Sequence, residues 1–73
     1  MPEIMYARHA KERMRQRRIT EADVDWALRH PIGHPEPGLP GSVWIRGYAV
    51  GTRVLKVCVS ADDNDYVITA VWP

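Results

Sequence analysis

"RVLKVCVSADDNDYVITAVW", residues 53–72, is the stretch on which the fold turns. Leu55, Val57 and Val59 alternate with Lys56, Cys58 and Ser60. That period of two is the signature of a strand with one buried face. Residues 66–72 are again rich in β-branched and aromatic types, and the "ADDND" between the two runs is a cluster of turn formers. A tight turn near residues 62–65 makes the two runs an antiparallel hairpin. Ile68, Ala70 and Trp72 then lie beside Leu55, Val57 and Val59, while Lys56, Cys58, Val67, Thr69 and Val71 face the other way.

Upstream, "SVWIRGYAV" (residues 42–50) reads as a third strand. Its facing depends on the turn that follows. A three-residue turn at "GTR" puts Trp44, Arg46 and Tyr48 on the open face with Lys56 and Thr69; a two-residue turn at Gly51 and Thr52 points Arg46 at the core. The first arrangement is favoured, because it buries Val43, Ile45 and Ala49, whereas an unpaired buried guanidinium is strongly destabilising. Before this strand, "PIGHPEPGLPG" (residues 31–41) holds four prolines and three glycines and is expected to be a mobile surface loop without regular structure.

The N-terminal half reads as two helices. Residues 3–17 are dominated by good helix formers, with Ala7, Ala10 and Met14 on one stripe and Tyr6 at its edge. Arg8, Lys11, Glu12, Arg15 and Arg18 point away from that stripe. A second helix opens at Thr20 as N-cap, with Asp23 completing a variant capping box and Ile19 and Val24 forming a hydrophobic staple. It stops near Arg29 or His30, ahead of Pro31. The expected fold is α+β: one small domain, residues 1–73, with two N-terminal helices packed on one face of a three-stranded antiparallel meander.

Net charge is only +1, but it is unevenly placed. Residues 1–18 carry six cations and two acids, a sum of +4, and residues 19–73 carry four cations and seven acids, a sum of −3. Such polarity suits an anionic ligand at the cationic end, or pairing between the two halves. Cys58 is the only cysteine, which excludes an intramolecular disulfide. With no apolar leader and no run of membrane-spanning length, the expectation is a cytoplasmic protein that does not enter a membrane. No zinc-ligand spacing is present, and "DDND" lacks the Gly and Glu of a calcium loop, so no metal and no cofactor is expected.

The chemistry-bearing residues sit in "RHAKERMRQRR", residues 8–18. His9, Arg13 and Arg17 are spaced i, i+4, i+8 and form a row along a helix. Cations at that spacing repel. A phosphate reverses the sign, because arginine grips phosphate oxygens in pairs and imidazole can pass a proton near neutral pH. A proton carrier beside fixed positive charge is what cleavage of a phosphodiester needs. The competing account is structural: Arg15, Arg17 and Arg18 suit a helix C-terminus and could pair with Glu21, Asp23 or Asp25. On the sheet, Trp44, Arg46, Tyr48, Lys56 and Thr69 would make a basic, aromatic surface suited to single-stranded RNA. Cys58 reads as a small apolar filler. His34 could reach a site if its loop folds over one.

"HAKERMRQRRITEADV" (residues 9–24), the proline after the second helix and the closing "VITAVW" together resemble the domain-of-unknown-function 4258 family of small bacterial domains, over about residues 7–72. The resemblance implies a likeness to RelE-like and BrnT-like ribonuclease toxins, with helices on an antiparallel sheet. It implies active residues at His9, Arg13, Arg17 and Thr69. RelE-like toxins usually have four or more strands and a basic cluster after the last one. Only three strands are evident here, and no such cluster follows.

The expected function is therefore a metal-independent endoribonuclease of the toxin type, working through the neighbouring 2′-hydroxyl. His9 would serve as general acid or base, Arg13 and Arg17 as phosphate clamps, and Thr69 as an orienting hydroxyl. Arg46, Tyr48 and Lys56 would hold the RNA. The expected partners are RNA and an antitoxin protein. The alternatives are a non-catalytic RNA- or protein-binding module, and a structural protein that forms a homodimer through a free sheet edge.

Overall fold

The computed structural model describes residues 3–73. In chain order its elements are β1 (Met5–Tyr6), α1 (Ala10–Gln16), α2 (Glu21–Arg29), β2 (Glu36–Pro37), β3 (Ser42–Tyr48), β4 (Val54–Ser60) and β5 (Tyr66–Val71). The strands form one five-stranded sheet in the order β1-β5-β4-β3-β2. All neighbours are antiparallel except β1, which runs parallel to β5. The expected three-stranded meander is thus only the middle of a mixed sheet.

Both additional strands come from segments read otherwise in the sequence. Residues 3–9 have helix propensity, yet Met5 N–H donates to Asp65 O and Ala7 N–H to Val67 O, each at 2.8 Å. Pairing with β5 satisfies its outer edge and lays Ile4 and Tyr6 against the core. Propensity differences of a few tenths of a kcal/mol per residue do not compete with that gain (about 0.5–1.5 kcal/mol per hydrogen bond). The helix therefore begins only at Ala10 and is seven residues long. The Pro-rich segment is not irregular either. Glu36 and Pro37 pair with Trp44 and Val43, Pro31 bridges to Gly47, and Ile32 N–H donates to Arg46 O at 2.8 Å. Proline is compatible with this position because an edge strand can do without one donor.

α2 follows its sequence signals. Thr20 Oγ1 accepts from Asp23 N–H at 3.0 Å, and Asp23 returns a carboxylate to Thr20 N–H at 3.1 Å. Ile19 and Val24 are both buried, as a staple requires. The backbone of α2 lies directly on β3 at Gly47, where a Cβ atom would fall 2.0 Å from Ala27 O. Only glycine admits so close an approach.

One core unites the layers: Met14, Ile19, Val24 and Ala27 from the helical half pack against Ala49, Leu55, Val57, Val59, Val67 and Ala70. Both helices therefore cover the same sheet face. The expected register of the last hairpin needs one correction. Cys58 pairs with Thr69 but Val59 pairs with Val67, so Ile68 is the extra residue of a β-bulge. Val67, not Ile68, is buried opposite Val59. At the sheet margins, β1 and β2 are each two residues long, so β5 beyond Val67 has no strand partner on its outer side. Among the described residues no helix is long and apolar enough to cross a membrane.

Candidate active site

α1 runs beside the outer margin of β5. At one end Ala7 N–H holds Val67 O, and at the other the Arg17 side chain holds Ala70 O. The lengths match: seven helical residues rise about 10 Å, as do three residues of strand. The row His9, Arg13, Arg17 therefore flanks the part of β5 that lies beyond the end of β1.

Arg17 is the member anchored to the sheet. Its Nη1 donates to Thr69 Oγ1 at 3.1 Å and to Ala70 O at 3.0 Å, and its own carbonyl accepts from Trp72 Nε1 at 2.7 Å. Thr69 is 52 residues away in sequence, so two expected site residues meet in space. One guanidinium nitrogen makes both bonds. Nε and Nη2 have no protein acceptor among the described residues, and the Thr69 hydroxyl accepts without donating. The half-buried group is thus held by one nitrogen with its other N–H groups available.

His9 and Arg13 are exposed and line a shallow depression of about 290 Å³ with Glu12 and Gln16. His9 occupies the N-cap position of α1 but makes no capping bond. Its Nδ1 lies 3.7 Å from Glu12 Oε2. The alternative in which Arg15, Arg17 and Arg18 pair with α2 carboxylates is not found among the described residues. Glu21 takes Lys11 at 3.8 Å, Asp25 takes Arg29 at 3.2 Å, and Asp23 is used in the cap. Arg8, Arg13, Arg15, Arg17 and Arg18 have no carboxylate within 4.0 Å among the described residues, so the cationic end keeps its charge.

On the open sheet face, Trp44 pairs with Cys58, Arg46 with Lys56 and Tyr48 with Val54, and Thr69 lies opposite Cys58. Arg46 is on the same face as Lys56 and Thr69, but its Nη2 is 3.1 Å from Glu36 Oε1. That partner comes from β2, in the segment expected to be irregular. Lys56 Nζ is 5.0 Å from the centre of the Trp44 ring, a cation–π distance. Tyr48 is exposed but lies four residues along β3 from Trp44, an offset of about 13 Å along the strand from the level of Thr69. His34 lines a different hollow, with Leu28, Ile45 and Arg46, and does not approach α1.

A feature without a sequence signal adjoins Thr69. A hollow of about 330 Å³ opens on the outer face, lined by the 39–42 turn together with Trp44, Cys58, Ile68 and Thr69. It exists because the bulge turns Ile68 outward. Tyr6, on the opposite face, contributes no proton chemistry near neutrality: burial, with Glu21 and Asp25 facing it, pushes its phenol from 10.0 up to about 12. Cys58 is buried and free, which suits its reading as filler.

No curated protein and no solved structure matches the chain. A family model described as Domain of unknown function (DUF4258) matches residues 6–72, from the end of β1 through β5 and the Trp72 that locks Arg17. The protein belongs to the DUF4258 family.

Proposed function

We propose that this domain is a metal-independent endoribonuclease of the toxin type, acting on single-stranded RNA. The observation that carries the reading is Arg17. Its guanidinium is anchored to Thr69 and Ala70 through one nitrogen, is not neutralised by a carboxylate, and stands at the end of a row with Arg13 and His9. A charge placed in advance where negative charge develops needs no rearrangement during reaction.

In the proposed step the 2′-oxygen of a ribose attacks the adjacent phosphorus and the bond to the 5′-oxygen breaks. The products are a 2′,3′-cyclic phosphate and a free 5′-hydroxyl. His9 takes the proton of the 2′-hydroxyl and returns it to the departing oxygen, so no water is consumed. Arg13 and Arg17 balance the charge gathering on the non-bridging oxygens, Thr69 orients one of them, and Lys56 holds the neighbouring backbone. Arg46 has a lesser part, because Glu36 already shares its charge.

The test is incubation with RNA in a chelator, comparing the wild type with His9→Ala and Arg17→Ala. Loss of a general acid or base lowers the rate by about 10²–10⁴-fold, and loss of a charge-stabilising donor by about 10²–10³-fold. Equal cleavage by wild type and His9→Ala would remove His9 from the mechanism. Absence of cleavage by every protein would remove the enzyme.

One observation favours a second reading, a non-catalytic RNA-binding module. His9 is exposed, and no hydrogen bond orients its ring among the described residues. Salt-sensitive binding of RNA without cleavage is its expected signature.

A further inference from the structure

The hollow beside Thr69 is more than a gap between side chains. Its lip is tied down: Ser42 donates from both N–H and Oγ to Leu39 O at 2.9 and 2.8 Å, Gly38 N–H donates to Ser42 O at 3.2 Å, and Ala61 N–H donates to Gly41 O at 2.9 Å. These bonds fix the β2–β3 turn at the end of β4. Yet Leu39, on that lip, is 81% exposed. The fold thus spends four hydrogen bonds on holding an apolar group in water at the mouth of an apolar hollow.

Inside are the flat indole of Trp44, the side chain of Cys58 and the outward-turned Ile68. Charge stands on two sides. Lys56 Nζ sits 5.0 Å over the Trp44 ring. Thr69, which lines the hollow, accepts from Arg17 and keeps its own hydroxyl proton to donate. A ligand complementary to this arrangement is flat and rich in π electrons, with an anion attached a short distance away. A volume of about 330 Å³ is at the small end of the roughly 300–1,000 Å³ range of ligand sites, too small for a duplex or a folded peptide.

We propose that the hollow is a nucleobase pocket: one unstacked base of a single-stranded RNA lies against Trp44 under the Leu39–Pro40 lip, with its adjoining phosphate on Thr69 and Arg17. The proposal rests on the RNA reading above and supplies the part of the substrate that reading leaves without a seat. A base held here fixes which phosphate reaches the His9, Arg13, Arg17 row, so the pocket would set the position of the cut.

The test titrates each of the four ribonucleoside 5′-monophosphates, and separately ribose 5-phosphate, into the protein while the Trp44 indole N–H is followed by NMR. At least one nucleotide is expected to move that resonance and to bind about fivefold or more tightly than ribose 5-phosphate, the lower bound for stacking one base on an aromatic ring. Trp44→Leu, which lacks the reporter and is titrated by calorimetry instead, is expected to abolish the difference. Leu39→Ser, at an exposed position that folding does not need, is expected to reduce it. Equal affinity for nucleotides and ribose 5-phosphate, no nucleotide binding at all, or binding that leaves the Trp44 resonance unmoved overturns the pocket. So does a base preference that survives both substitutions. The two readings fail separately: a base-dependent shift of Trp44 without RNA cleavage retains the pocket and removes the enzyme, whereas cleavage without that shift does the reverse.

Discussion

Replacing Gly47 with alanine probes the contact on which the two layers meet. The added Cβ would stand 2.0 Å from Ala27 O, 2.6 Å from Ala27 C and 2.8 Å from Ala27 Cα. All three atoms are backbone, so no side chain can rotate out of the way. Restoring an ordinary carbon–oxygen contact requires α2 to rise from β3 by about 1 Å, and with it Val24 and Ala27, both fully buried. Overpacking of this kind destabilises by about 1–3 kcal/mol, with the upper end expected where the obstacle is backbone. Lower entropy of the unfolded alanine chain offsets about 0.4–1 kcal/mol of that. The net loss is about 2 kcal/mol, against a total stability of roughly 4–11 kcal/mol for a chain this long. Thermal unfolding followed by circular dichroism should show Tm lower by about 8–16 °C. A Tm within 2 or 3 °C of the wild type (well under the ~8 °C expected) would refute the close approach of α2 to β3.

Three further outcomes are expected. Thr20→Ala removes the reciprocal cap of α2 and should cost about 1 kcal/mol, read as a Tm lower by about 4–8 °C; an unchanged Tm would show the cap to be replaced by solvent. The folded state holds the Tyr6 proton more tightly than the unfolded chain does, so stability should fall as pH rises from 10 to about 12 and be indifferent to this group below 10. Urea midpoints of wild type and Tyr6→Phe across that window should diverge, the variant losing less; parallel curves would mean that Tyr6 is not shielded as described. Arg13→Ala should weaken RNA binding and reduce the slope of log affinity against log salt by about 1, whereas Arg46→Ala should change that slope less, because Glu36 shares its charge. Filter binding at several salt concentrations separates the two, and the opposite ranking would move the RNA path onto the sheet.

The elements legible in the sequence were those with a repeating signal. Alternation at Leu55, Val57 and Val59 is preserved in β4, and the Thr20–Asp23 pair marks the start of α2 to the residue. Two-residue strands have no period to detect. Met5 and Tyr6 share the composition of the helix that follows, and Glu36–Pro37 looks like a loop because proline is common there; only the partner strand makes either one β. The bulge at Ile68 was invisible for a related reason, since it is a property of two strands in register and not of either alone. The site divides in the same way. Spacing put His9, Arg13 and Arg17 in one row, but no local rule could join Arg17 to Thr69 or divert Arg46 to Glu36. The hollow under Leu39 has no local signal in the sequence, because it needs the bulge and the β2–β3 turn at once.

The strand made last is not at the margin of the sheet. β5 is flanked by β4 on one side and by β1, made first, on the other. While the protein is being synthesised, β1 and α1 leave the ribosome with no surface to dock on, and the guanidinium of Arg17 waits 52 residues for its hydroxyl. A nascent chain therefore lacks the Arg17–Thr69 contact until β5 has emerged to supply it.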